Sequence, residues 1–166
     1  KEPKLFERVH NVLFLSNQDA LSGMRAESAR RGYATEVVND HFSGEARDVG
    51  LAIVKKLHES PSKTVLLYAG ESTVTLADTE CLQFGGRNQE MALAVLSFAS
   101  DGRDNTDHAG AIADAATIAH SHERKLSIDN YLNTHTSYDF FKTSGDALIT
   151  GYTGSNVSDL IIALKK

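Results

Sequence analysis

From residue 11 the chain alternates short apolar runs with longer periodic stretches. Asn11-Val-Leu-Phe-Leu-Ser16 is apolar without alternation, which predicts a buried strand. Gln18–Arg31 follows with helical spacing, and Gly32 stands where a helix ends. Tyr33–Asn39 alternates and is rich in β-branched residues, a second strand. Glu45–Glu59 places Val49, Ala52, Ile53 and Leu57 on one helical face, and Pro61 prevents its continuation. Lys63-Thr-Val-Leu-Leu-Tyr68 is a third strand.

This β-α-β-α-β order predicts parallel strands with right-handed crossovers. The expected fold class is α/β, a layered sandwich with a mainly parallel sheet and a Rossmann-like first half. The loops after Ser16, Asn39 and Tyr68 would then carry ligand chemistry, because ligands collect at the carboxyl ends of such strands. The second half is glycine-rich and mixed. Helices are expected over Asn88–Leu96, from Asp107 to about His120, and over Tyr138–Ser144. Ala147–Thr150 and Leu160–Leu164 read as strands flanking the Gly151–Asn156 turn. One α/β domain over 1–166 is expected, with a βαβα unit in 1–62 and a second region in 63–166.

Composition narrows the function. The net charge of −5 argues against a general nucleic-acid binder, which needs a basic face. No apolar run approaches a membrane span. A single cysteine, Cys81, leaves no disulfide framework and fits a reducing, cytoplasmic setting. The opening KEPKLFERVH has neither a signal-peptide pattern nor an initiator Met, and reads as the interior of a longer chain. His120 and His122 do not share a helix face, so zinc is not expected. Asn156-Val-Ser158 matches a glycosylation sequon but has no secretory context.

Four stretches could carry chemistry. Gly70-Glu-Ser-Thr73 follows the third strand, so Glu71 would stand at its carboxyl end; a plain polar turn is the alternative. Gly85-Gly-Arg-Asn-Gln-Glu90 precedes an apolar helix. A helix start attracts anions, glycines admit a ligand to the backbone, and Arg87 adds a fixed fork of donors. With Asn88 as a simple N-cap and Arg87 in solvent the same residues are structural, and both readings stand. Asp101-Gly-Arg-Asp-Asn-Thr-Asp107 could share Mg²⁺ with substrate phosphates, although composition alone favours a solvated loop with Asp107 capping a helix. Thr150-Gly-Tyr-Thr-Gly-Ser-Asn156 could form an oxygen-binding nest or a hairpin connection.

GESTV at 70–74, GGRNQE at 85–90, SDGRDNTDHAGA at 100–111, SYDFF at 137–141 and TGYTGSNVSDL at 150–160 occur in a fixed order. That order resembles the C-terminal MOFRL domain of the glycerate 2-kinase family, some of whose members carry the label hydroxypyruvate reductase. The resemblance covers residues 63–166, and 11–59 looks like the segment just upstream in those enzymes. It implies transfer of the ATP γ-phosphoryl group to D-glycerate in a cleft shared with an N-terminal α/β domain, which this chain does not contain and whose lysine has no counterpart here. It makes Arg87 the catalytic arginine. Gly85, Gly86, Asn88, Glu71, Asp101, Asp107, Thr153 and Asn156 become substrate- or phosphate-binding residues, Asp101 the metal contact, and ATP with Mg²⁺ the cofactors. A homodimer is among the assemblies this admits.

The chain departs from the family pattern. The acidic loop is one residue short, with Asn105 where a Gly-Pro pair is common. His135-Thr136 replaces a frequent Asn-Asp, and Tyr152 a usual proline. Residues 89–101 have room for a helix or a strand but scarcely both, so a break or irregular connection is expected around Ala94–Ser97. By itself the chain is expected to be inactive. A stand-alone MOFRL module that binds a small anion or a partner is the alternative. A dehydrogenase is disfavoured, since Asn17-Gln-Asp-Ala20 lacks the glycines of a dinucleotide fingerprint.

Overall fold

The computed structural model describes residues 8–75 and 95–166. In chain order these form α1 (Asn17–Arg30), β1 (Ala34–Phe42), α2 (Ala46–Glu59), β2 (Thr64–Gly70), β3 (Leu96–Ala99), β4 (Gly110–Ile112), α3 (Ala115–Glu123), α4 (Ile128–Asn133), α5 (Ser137–Ser144), β5 (Ala147–Leu148) and β6 (Asp159–Lys165). The strands make one open sheet in the order β1-β2-β6-β3-β4-β5.

Among the described strands only β1 and β2 pair in parallel. The other pairings, β2 with β6, β6 with β3, β3 with β4 and β4 with β5, are antiparallel. The mainly parallel sheet expected from the sequence is therefore corrected to a mostly antiparallel one. The βαβ rhythm of the first half was read correctly from β1 onward, but it fixes one parallel pair and no more. β6 inserts between β2 and β3, a long-range placement that no local pattern encodes.

β2 is buried at every position from Thr64 to Gly70, which explains its unbroken apolar run. Alternate residues serve opposite faces. Leu66 and Tyr68 join Phe42, Ala46, Ile53 and Ile161 under α2, whereas Val65, Leu67 and Ala69 join Leu21 and Leu160 under α1. A third cluster, Ala111, Ala113, Phe140 and Phe141, seats α5 on β4. Burial lifts the Tyr68 hydroxyl to about 12, with Glu36 adding to the shift.

Three further expectations fail. Asn11–Ser16 forms no strand. It is irregular and exposed, with Val12, Leu13 and Phe14 at 83%, 80% and 95% exposure. The helix expected from Asp107 to about His120 starts only at Ala115. Gly110–Ile112 is a strand, and the helix begins at Ala115 with Asp114 as its cap, accepting from the amides of Ala116 and Thr117. Small alanines and Gly110 suit a strand squeezed against a neighbour, since a methyl on Gly110 would collide with the Ser97 carbonyl. Gly151–Asn156 is not a hairpin turn either. β5 stops at Leu148 and is separated from β6 by β3 and β4, so the loop crosses the end of the sheet. The helix expected over Asn88–Leu96 falls on residues outside those described up to 94; Leu96 itself opens β3. The expected break near 94–97 and Cys81 likewise fall wholly or partly outside them.

Candidate functional site

The register places several motif residues at one end of the sheet. Gly70 and Ala99 both stand opposite Asp159, one on each side of β6. Glu71, Ser100 and Ser158 are therefore the first residues beyond that end. Gly70 is required there, because any Cβ would run into the Phe42 backbone. The Glu71 amide donates to the Phe42 carbonyl at 2.9 Å, which fixes the turn out of β2 and leaves Glu71 exposed.

The acidic loop and the 150–158 loop close against each other at this end. The Ser100 hydroxyl accepts from the Val157 amide at 2.8 Å, and its carbonyl accepts from the Thr153 hydroxyl at 2.6 Å. The Thr153 amide donates to the Asp101 carbonyl at 3.0 Å. Gly102, at φ +88°, lies so near the Gly151 carbonyl that a methyl could not be placed. The Asp101 carboxylate accepts from the Arg103 amide at 2.9 Å, a local turn that holds the side chain at the loop's start. Asn156 accepts from the Ser158 amide at 3.3 Å, and Ser158 sits at φ 84°. A serine held in that left-handed region stores strain, which persists where the surroundings over-determine it.

Thr153, expected as a ligand contact, thus braces the two loops, while Asn156 turns the 150–158 loop on itself. Asp107 does not cap a helix. Its carboxylate accepts from the Tyr138 hydroxyl at 2.8 Å, and Lys142 donates to the same hydroxyl at 3.2 Å. The Tyr138 bond, helped by the charges of His108 and Lys142, holds the Asp107 carboxyl below its ordinary range. Beneath it, buried His108 stacks on Tyr138 with ring centroids 4.5 Å apart. The SYDFF motif supplies this contact, but nothing in its sequence shows that Tyr138 and Lys142 hold Asp107. The bridging role of Ser100 leaves no local signal either.

A polar cleft of about 360 Å³ opens at the same end, between the start of α2 and the end of α4, with Glu45, Arg47, Thr75, Asn133 and His135 in its wall. The Glu45 carboxylate accepts from the Thr75 amide at 2.9 Å and hydroxyl at 2.8 Å, which lowers its pKa. Arg47 donates to Asn133 at 3.3 Å. A larger cavity, about 700 Å³, lies at the opposite end against Leu96, Ile112, Ile162 and Leu164. Its wall is mostly apolar, with Asp114 and Lys166 on it, and holds none of the motif residues.

Gly85, Gly86, Arg87 and Asn88 lie outside the described residues. Among the described residues no group of three or more His, Cys, Asp or Glu side chains is placed to hold a metal. Asp101, the carboxylate expected to contact Mg²⁺, stands alone at the start of the acidic loop, where it accepts from the Arg103 amide. No helix among the described residues is long and apolar enough to cross a membrane.

The chain is similar to longer proteins. It is 33% identical over 175 residues to the glycerate 2-kinase of Pyrococcus horikoshii, covering 94% of this chain and 39% of that protein. It is 32% identical over 182 residues to the D-glycerate 2-kinase of Thermotoga maritima, covering 98% and 43%. Both matches run longer than the 166 residues here, so each relative contains residues that this chain lacks. The crystal structure of the Thermotoga maritima glycerate kinase superposes with a TM-score of 0.85 at 31% identity, over 96% of this chain and 43% of that one. A Pyrococcus horikoshii crystal structure gives the same TM-score at 32% identity, over 96% and 41%. The chain spans about two-fifths of the length of these relatives. The MOFRL family model matches residues 64–159, more than half of the sequence and all of the motifs that meet at the sheet end, and the chain belongs to the MOFRL family.

Proposed function

We propose that this chain is the C-terminal part of a glycerate kinase that moves the ATP γ-phosphoryl group to D-glycerate. The observation that carries this is the convergence of GESTV, the acidic loop and TGYTGSN on one end of the sheet, in a chain whose relatives bear the name glycerate 2-kinase. Phosphoryl transfer asks little covalent chemistry of a protein. It asks for positioning and for fixed charge where charge develops.

In this reading Arg87, with the backbone of Gly85, Gly86 and Asn88, receives the glycerate carboxylate or the transferring phosphoryl group. Asp101 contacts the Mg²⁺ that accompanies ATP, and that ion neutralises phosphate charge. Glu71 and Asp107 bind or orient substrate, Asp107 being held as an anion by Tyr138 and Lys142. Thr153 acts through the two loops it joins, and Asn156 through the turn it holds at Ser158. An N-terminal α/β domain supplies the lysine, and the enzyme works in the cytoplasm.

The test is steady-state kinetics on the complete protein that contains this chain. Arg87→Ala should lower kcat about 10²- to 10³-fold, the cost of one lost contact to a charged transition state. Unchanged turnover in that variant would remove Arg87 from the mechanism.

A further inference from the structure

Asn11–Ser16 has the composition of a strand buried on both faces, yet among the described residues it pairs with no strand, and it exposes four consecutive apolar side chains. Its far end is fixed. The Asp19 carboxylate accepts from the Ser16 amide at 2.8 Å and hydroxyl at 2.9 Å. Asn17 donates to the Asp40 carbonyl at 2.7 Å, and Gln18 reaches the Asp40 carboxylate. The segment therefore enters α1 beside the carboxyl end of β1, the end of the sheet that carries Glu71 and Asp101.

The handedness of crossovers decides where such a strand can go. α2 and α1 cover opposite faces of the sheet. A right-handed crossover through α2 sets β2 on one side of β1. A right-handed crossover through α1, on the other face, demands that the preceding strand stand on that same side of β1. That position is taken, since β1 pairs directly with β2 from Ala34↔Thr64 to Phe42↔Gly70. The free edge of β1 would require a left-handed crossover, which about 2% of such connections adopt. The sheet described here has no place beside β1 for this strand.

We infer that Val12–Leu15 is a strand donated to a second sheet, formed by the remaining three-fifths of the longer chain that the relatives represent. Main-chain pairing with that sheet fixes the second domain over the end of this one that carries Glu71, Asp101 and Asp107. The inference rests on the reading that a further domain completes the site, but not on the reaction that the site performs. The four apolar side chains would pack within the second domain, and the backbone would take one of its edges.

Amide hydrogen exchange tests this on two samples, the 166-residue chain and the complete protein that contains it. In the chain alone, Val12–Leu15 should exchange at nearly unprotected rates. In the complete protein the same amides should slow at least 100-fold. Leu13→Pro should leave the Tm of the 166-residue chain unchanged, because no described strand there pairs with it, and should abolish the protection at Val12, Phe14 and Leu15 in the complete protein. Fast exchange at these amides in both samples would overturn the inference, as would a complete protein that contains no further domain. A complete protein with slow exchange but no glycerate phosphorylation would leave the inference standing and remove the kinase reading alone.

Discussion

The two halves of the molecule are built on different principles. In 17–70 each element follows the next in space, and hydrophobic period decides the structure. β2 is buried throughout, and α1 and α2 cover its two faces with alternate residues of one strand. In 95–166 the strands are two to seven residues long, and the chain spends its polar groups on tying loops to loops. Ser100 and Thr153 join segments more than fifty positions apart. Buried polar residues such as Asp104, His108 and Ser97 occur in the second half, where every partner must be in place. The first half is a platform for the turn at Gly70, and the second half shapes what faces it.

Substitutions can break or sharpen this contrast. The largest loss is expected from Phe141→Ala. Phe141 is 1% exposed, joins the cluster under α5, and meets Phe140 edge-on at 5.0 Å. Its removal should cost about 3–5 kcal/mol by urea unfolding. A loss near zero would show that the second half is not packed as described.

Gly70→Ala should come next, at about 1–3 kcal/mol, because the new methyl meets backbone that cannot rotate away. The damage should appear at the carboxyl ends of β1 and β2, as faster exchange of the Glu71 amide. Gly102→Ala should cost a similar or smaller amount of stability. It should act chiefly on turnover in the complete protein, since it pries apart the two loops that carry Asp101 and Thr153. A variant with full activity would mean that the loop contact is scaffolding alone.

Tyr138→Phe sharpens the comparison at the level of one proton. The Tyr138 bond lowers the Asp107 pKa in the folded chain. Its contribution to stability is therefore present above the ordinary carboxylate range and is lost as pH falls through the folded value. The Tm deficit of Tyr138→Phe should be larger at pH 7 than at pH 3, and an NMR titration should show Asp107 moved up toward an ordinary carboxylate. Equal deficits at both pH values would contradict the pairing. The smallest effect, and of opposite sign, belongs to Gly23→Ala in α1. Open space surrounds Gly23, so the variant should gain up to about 1 kcal/mol.

The same contrast explains what the sequence could tell. Helices and strands in 17–70 were legible to within a few residues, because Gly32 and Pro61 mark ends and apolar spacing marks faces. Sheet order was not legible. β6 reaches β2 from the far end of the chain, and its seven residues carry no sign of which strand they will join. Asp107 looked like a helix cap because alanines follow it, but Asp114 sits where its side chain can reach the Ala116 and Thr117 amides. The candidate site was legible as motifs in order, not as geometry. Thr153 stood out as a ligand contact, and in the fold its hydroxyl and amide tie the 150–158 loop to the acidic loop. Tyr138, which anchors Asp107, lies 31 positions away from it. The exposed Val12–Leu15 run is the instructive failure, because its strand pattern is clear and it pairs with no strand among the described residues.

The most direct test of the central claim is a ³¹P NMR time course of the complete protein with ATP, Mg²⁺ and D-glycerate. A glycerate kinase converts ATP into ADP and moves the γ-phosphoryl group to glycerate, so ADP and one new phosphomonoester signal grow in equal amounts, with no such signal when glycerate is omitted. ATP that stays intact, or that yields inorganic phosphate without a phosphomonoester, would contradict the account and leave a module that binds an anion at this sheet end without chemistry.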